Sequence, residues 1–148
     1  EDTWWHRLKT AVDAACTRHA DGVIVCSAGL LPRMRRWCRG GLVTYIPNGV
    51  VGVAPMPRAR ARALLAARHG VPGEGPLVGY VGRLSPEKRP DLVLRAVAAA
   101  REAGAPLHLV VVGSGPLRSE LERLVGELGI ARAVTFTGLL HCVEAVYG

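Results

Sequence analysis

Aromatic residues are scarce. One Phe, three Tyr and three Trp serve 148 residues, so any core must be built almost entirely from aliphatic side chains. Lysine is scarcer still: all but two of the 19 Lys and Arg residues are Arg. No apolar run approaches the ~20 residues that a membrane-spanning helix requires. The opening stretch, EDTWWHRLKT, lacks the basic leader and apolar segment of a signal peptide, and none is expected. The four Cys, at 16, 26, 38 and 142, never form a C-x-x-C pair, and no His stands at metal-ligand spacing. A zinc site is therefore not expected, and the cysteines read as free thiols of a reducing, cytoplasmic compartment. His19, His69, His108 and His141 have no nucleophile or carboxylate at a diagnostic spacing and read as structural or surface residues.

What is present fits a folded α/β chain. Hydrophobic residues make up 49% and charged residues 21%, the balance of a globular protein. A net charge of +7 admits anionic partners: nucleotides, nucleic acids or acidic lipid headgroups.

Helical and strand-like segments alternate. Residues 4–20 fit an amphipathic helix with Trp5, Leu8, Val12, Ala15 and Cys16 on its apolar stripe. A strand over 23–26, a helix over 28–39 capped by Ser27, and a strand over 42–46 follow. The Pro- and Gly-rich stretch PNGVVGVAPMP then interrupts the pattern and divides the chain into 1–50 and 51–148. Beyond it, helices are expected over 58–69, 91–102, 116–129 and from about 141. Strands are expected over 77–81, 107–112 and 134–137. These strands are unbroken apolar runs, which predicts parallel strands buried on both faces and joined by helical crossovers. In helix 116–129, Leu117, Leu121, Leu124, Val125 and Leu128 should face the sheet, with Arg118, Glu120, Glu122, Arg123 and Glu127 in water.

In an open parallel sheet, ligands bind beyond the carboxyl ends of the strands. The segment VGRLSPEKRPD occupies such an end. Gly82 would let the backbone turn sharply and approach a ligand. Ser85 would accept backbone N–H groups in the turn, and Pro90 would start the next helix and hold Arg89 extended. Arg83 offers a planar fork for phosphate oxygens, and Lys88 a mobile point charge. Two readings stand on spacing alone: both cations converge on a diphosphate, or both pair with Glu87 or Asp91 on a solvated surface. The segment VVVGSGPLRSE supplies a second candidate, with Gly113, Ser114 and Gly115 in a strand-to-helix turn whose free N–H groups suit an anion. As a dinucleotide fingerprint it is weak. Arg118 stands where the third glycine belongs, and no acid ends the following strand. The Arg-rich run PRMRRWCRGG, with Arg33, Arg35, Arg36, Arg39 and Trp37, suits a solvated helix face or an anionic surface. No aromatic RNA-binding signature accompanies it, so nucleic acid is not an expected partner.

Taken together, ADGVIVCSAGL, VTYIPNGVV, VGYVGRLSPEKRPDLVLRAV, LHLVVVGSGPLRSELERL and VTFTGLL occur in the order and spacing of one family. They resemble the GT-B glycosyltransferases of family four, retaining enzymes that use nucleotide sugars. The resemblance runs from about Ala20 to Gly148. It implies Rossmann-like parallel sheets in two domains facing a cleft. Residues 1–50 would be the end of the acceptor-side domain plus a hinge at Pro47, Asn48 and Gly49. Residues 51–148 would be the first half of the donor domain. Arg83 and Lys88 would then bind the donor diphosphate, with Gly82 bringing the backbone close. Gly113, Ser114 and Gly115 would lie beside the nucleotide, and Gly138, Leu139 and Leu140 near the base. The family's use of fixed cations implies neither a metal nor a cofactor.

The departures matter too. The family's pair of Glu eight positions apart, its early glycine-rich loop and its first-domain His have no counterpart here. Glu120 and Glu127 are seven apart on one helix. The expectation is a piece of a longer transferase, without a complete catalytic set and inactive alone. UDP, GDP and ADP donors are all open, as is the acceptor; a lipid-linked acceptor would bring peripheral membrane contact. A non-catalytic nucleotide-binding or interaction module is the alternative from another class.

Overall fold

A computed structural model describes residues 4–49 and 56–140. Within it the chain divides into two compact units, Glu1–Gly52 and Val53–Gly148. The helix expected from about residue 141, with His141 and Cys142, lies outside the described residues.

The first unit opens with helix α1 (Trp4–Arg18), followed by strand β1 (Gly22–Val25), helix α2 (Leu31–Trp37) and strand β2 (Leu42–Tyr45). The two strands pair in parallel, with Val23 opposite Val43. Helix α2 is shorter than the pattern suggests because a 3-10 turn, Ala28–Leu30, precedes it and Pro32 marks its first turn. Ser27 has extended backbone there, but its hydroxyl makes no capping hydrogen bond. The α1 stripe is not buried: Trp5 is 61% exposed and Val12 52%. Ile24 of β1 and Leu42 of β2, at 70% and 72%, are equally open. A two-stranded pair has too few neighbours to cover an apolar face.

The second unit carries the larger core. Its elements are α3 (Arg58–His69), β3 (Leu77–Val81), α4 (Pro90–Glu102), β4 (His108–Val112), α5 (Arg118–Glu127) and β5 (Val134–Gly138). The sheet is parallel in the order β3-β4-β5. The central strand explains the unbroken apolar run, because successive side chains point to opposite faces. Leu109 and Val111 join Leu94, Val97 and Ala98 of α4 and Leu121 and Val125 of α5. Val110 and Val112 join Leu65 of α3 and Val71 on the other face. Among the described strands, burial on both faces thus holds for β4 alone; β3 and β5 are half-buried and lie at the edges.

Loops of this unit are tied down by side chains. Arg62 of α3 donates to the carbonyls of Gly73 (3.1 Å) and Gly75, fixing the loop before β3. Helix α5 ends at Glu127, and Gly129 follows in left-handed backbone at φ 67°. Arg118 departs from the expected solvent face: its guanidinium lies 4.4 Å over the Phe136 ring and pairs with Glu122 at 2.6 Å.

His108 marks the amino end of β4, where its Nε2 lies 2.8 Å from Thr135 Oγ1. Burial, and then the nearby charge of Arg101, push its pKa below the ordinary 6.5. Protons therefore bind the unfolded chain more readily than the folded one. Stability should be full above about pH 6.5 and fall as pH drops from there toward the depressed folded value. The expected result is a melting temperature that declines between about pH 7.5 and 5, with a smaller decline in His108→Gln. Identical pH profiles for the two chains would show that His108 does not set the dependence.

Candidate functional site

Three parallel strands end side by side at Val81, Val112 and Gly138. Backbone hydrogen bonds lace the loops beyond them together. Gly82 N–H donates to the Val112 carbonyl (3.0 Å), Leu84 N–H to that of Ser114 (2.9 Å), and Gly113 N–H to that of Gly138 (2.8 Å). The Leu84 carbonyl in turn accepts from Leu117 N–H at 3.0 Å.

The two loops approach so closely that side chains do not fit between them. A Cβ on Gly113, whose φ is 137°, would lie 1.9 Å from the Gly82 oxygen. A Cβ on Gly115 would lie 2.3 Å from the Leu84 oxygen. Here the glycines are required by backbone-on-backbone contact. Gly82 differs from expectation. Its φ is outside the left-handed region, and an added Cβ would meet only the Tyr80 side chain, the hydroxyl nearest at 3.2 Å. The sharp turn belongs to Gly113.

A cavity of about 430 Å³ opens at this strand end. Its lining is Val81, Gly82, Arg83, Val112, Gly113, Ser114, Gly115, Leu139 and Leu140. One side is glycine backbone. Among the described residues, the N–H groups of Arg83, Ser114 and Gly115 donate no hydrogen bond. Arg83, an exposed residue, belongs to the lining. At the rim, Leu139 is 73% exposed, whereas Leu140 packs toward Val110 and Val112. An anion with an apolar or aromatic extension matches such a surface: free N–H groups and a cation for the charge, leucines for the rest.

The cations have not been spent on each other's neighbours. Among the described residues neither Arg83 nor Lys88 forms an ion pair. Asp91 is held instead by Arg89, through two 3.0 Å hydrogen bonds that keep its carboxyl below the usual range. Glu87 accepts from the buried Ser85 hydroxyl at 2.6 Å. That bond, more than the nearby charges of Arg83 and Lys88, lowers the Glu87 pKa. Ser85 thus accepts the backbone N–H of Lys88 through its carbonyl, at 3.0 Å, while its hydroxyl donates to Glu87.

Lys88 does not line the cavity. It ends a 3-10 turn, Pro86–Lys88, with its side chain exposed. Nor is Arg89 extended. It sits in left-handed backbone (φ 46°, ψ 50°) and closes the turn through N–H to the Pro86 carbonyl, 3.3 Å away. The ring of Pro90 disfavours right-handed helix at the preceding residue, and the tight turn leaves the left-handed region. Gly138 lies at the end of β5 rather than on the lining. Helix α5 starts at Arg118, so Gly113–Leu117 is a loop and not a first helical turn. Pro47, Asn48 and Gly49 run in exposed, irregular backbone after β2. Val81 and Val112 are missed by sequence reasoning; the one signal for them is that each is the last apolar residue of its strand.

The family model of the glycosyl transferases group 1 matches residues 62–147, more than half of the chain. The chain belongs to the group 1 glycosyltransferases. It is 33% identical over 147 residues to 2-deoxystreptamine glucosyltransferase of Streptomyces kanamyceticus, a match spanning 91% of this chain and 36% of that one. It is also 39% identical over 95 residues to a GDP-mannose-dependent alpha-(1-6)-phosphatidylinositol monomannoside mannosyltransferase of Mycolicibacterium smegmatis. That match covers 63% of this chain and 24% of the relative. Among solved structures it resembles Anabaena Alr3699/HepE in complex with UDP and glucose, with TM-score 0.72 and 23% identity. Superposition covers 97% of this chain and 39% of that chain. At that identity the likeness speaks for the fold, the parallel α/β architecture of GT-B transferases. The chain thus spans only 36% and 24% of the length of these two curated relatives.

Proposed function

We propose that this chain forms the nucleotide-sugar-binding part of a glycosyltransferase that moves a sugar to a saccharide, lipid-linked or small-molecule acceptor with retention of anomeric configuration. Residues 51–148 act as the donor side, residues 1–50 as the end of the acceptor side, and Pro47, Asn48 and Gly49 as the hinge. One observation carries the reading: among the described residues, Arg83 forms no ion pair and stands beside N–H groups that donate no hydrogen bond, at a cavity lined by glycine backbone. UDP in the HepE structure and the GDP-mannose dependence of the mycobacterial relative support a nucleoside diphosphate as the anion.

The chemistry follows from charge. Cleaving the sugar–phosphate bond leaves negative charge on the nucleoside diphosphate, and fixed donors at that point lower the barrier. Arg83 and the N–H groups of Ser114 and Gly115 supply them; Lys88 adds a mobile cation from the adjoining turn. Gly138, Leu139 and Leu140 lie toward the base. Charge stabilisation on this plan requires neither metal nor cofactor. Among the described residues no helix is long and apolar enough to cross a membrane. A cytoplasmic enzyme touching the membrane through the Arg-rich α2 is compatible with a lipid-linked acceptor.

The test is transfer from UDP- and GDP-sugars by the gene product carrying this sequence, with product anomers read by NMR. Retention is expected. Lys88→Ala should lower kcat/KM about tenfold, the size of a charge-assisted hydrogen bond. An inverted product would overturn retention, and an unaffected Lys88→Ala enzyme would remove that residue from the donor site.

A further inference from the structure

The Arg83 side chain can serve a diphosphate only if its own peptide is held still. Three hydrogen bonds hold it. The Arg83 carbonyl accepts from the Tyr80 hydroxyl and from Ser85 N–H, each at 3.1 Å. The next N–H, of Leu84, is fixed on the Ser114 carbonyl at 2.9 Å. Two of these bonds belong to the backbone. The third comes from a side chain three residues upstream on β3.

Tyr80 is placed for this by strand geometry. It sits opposite Val111 in the ladder, two residues before Gly82, and so shares the face of Gly82. Its ring is half-buried against the α4–α5 core, which fixes its direction. The hydroxyl passes over Gly82, where an added Cβ would stand 3.2 Å from the oxygen and press it aside by a few tenths of an ångström. Burial and then the Glu87 charge raise the phenol pKa, so the O–H keeps its proton at neutral pH.

We propose that Tyr80 is a positioning residue for Arg83: its hydroxyl clamps the Arg83 carbonyl and so aims the guanidinium into the cavity at the strand ends. Gly82 has its role here, as the gap through which the hydroxyl reaches the loop. The inference rests on Arg83 as a diphosphate ligand, and a double-mutant cycle separates the two ideas.

UDP and inorganic pyrophosphate are titrated calorimetrically into the chain, Tyr80→Phe, Arg83→Ala and the double variant, with melting temperatures recorded. Tyr80→Phe should weaken both ligands about 3- to 10-fold, the worth of one net hydrogen bond. In the Arg83→Ala background it should cost nothing further. Equal weakening in both backgrounds overturns the proposal, because the hydroxyl then acts on the fold and not on Arg83. Unchanged affinity in Tyr80→Phe beside a loss in Arg83→Ala also overturns it, and leaves Arg83 as the ligand. Unchanged affinity in Arg83→Ala removes both ideas. If Tyr80→Phe unfolds the chain, Gly82→Ala takes its place: crowding the hydroxyl should weaken binding with Arg83 present and not without it, and any other pattern counts against the proposal.

Discussion

Gly113→Ala should unfold the second unit. The methyl carbon would have to occupy a point 1.9 Å from the Gly82 carbonyl oxygen, far inside the 3.0 Å below which something must shift. The obstacle is backbone, and it is anchored on both sides. Gly82 N–H is bonded to Val112, and Gly113 N–H to Gly138. At φ 137° a side chain is strained even without a neighbour. Relief requires separating the β3 and β4 loops, which breaks the bonds that close the strand ends. The expected cost is about 4 kcal/mol or more, the range reserved for single substitutions that break a named constraint. With ~5–15 kcal/mol holding an ordinary domain together, the variant should melt far below the parent chain or not fold. Gly126→Ala is the control, since nothing lies within 4 Å of its added Cβ. Circular dichroism melts of the three chains decide the matter. A Gly113→Ala chain with a parental melting temperature would mean that the two loops are not packed backbone on backbone.

Arg83→Ala should leave the fold intact and disable the site. The side chain is exposed and, among the described residues, has no ion-pair partner to orphan. Its loss is therefore a loss of charge at the cavity lining alone. Removing one fixed donor from a site that stabilises developing negative charge costs about 2.7–4 kcal/mol, roughly 10²–10³ in rate. On the proposed function, the gene product should thus lose that factor in kcat/KM for a nucleotide sugar, with melting temperature unchanged. Arg83→Lys should recover part of it, because a point charge replaces the fork without its geometry. Full activity in Arg83→Ala would show that the diphosphate is held elsewhere.

The second unit is more legible in the sequence than the first, and the reason lies in burial. An unbroken aliphatic run marks a central strand because both faces are covered, and β4 obeys that rule, with Leu109, Val110, Val111 and Val112 all buried. Helix α5 obeys its period because Leu121 and Val125 meet the same core. In the first unit the stripe through Trp5, Leu8 and Val12 has the right period and lies exposed. Periodicity records that a face is apolar; it does not say what covers it. At the candidate site, glycine and arginine after an apolar run point to a strand end, and a cavity lies there. Which glycine the turn needs is hidden, because that depends on the distance between two loops. Tyr80 is hidden too, since its hydroxyl matters only once the turn of the chain brings the Arg83 carbonyl back toward it. Arg89 follows the general effect of a proline on its predecessor only in part, because the tight Pro86–Lys88 turn overrides the extended backbone expected there.

The proposed function assigns the cavity beyond β3, β4 and β5 as the seat of a nucleoside diphosphate. Its occupancy can be read by site-resolved NMR of the labelled chain, titrated with UDP and separately with uridine. UDP should shift the amide signals of Arg83, Ser114 and Gly115, whose N–H groups donate no hydrogen bond among the described residues, together with those of Leu139 and Leu140. Uridine, lacking the phosphates, should leave the first three unmoved. Shifts that cluster on other residues, or equal shifts with uridine, would place the diphosphate elsewhere or nowhere on this chain.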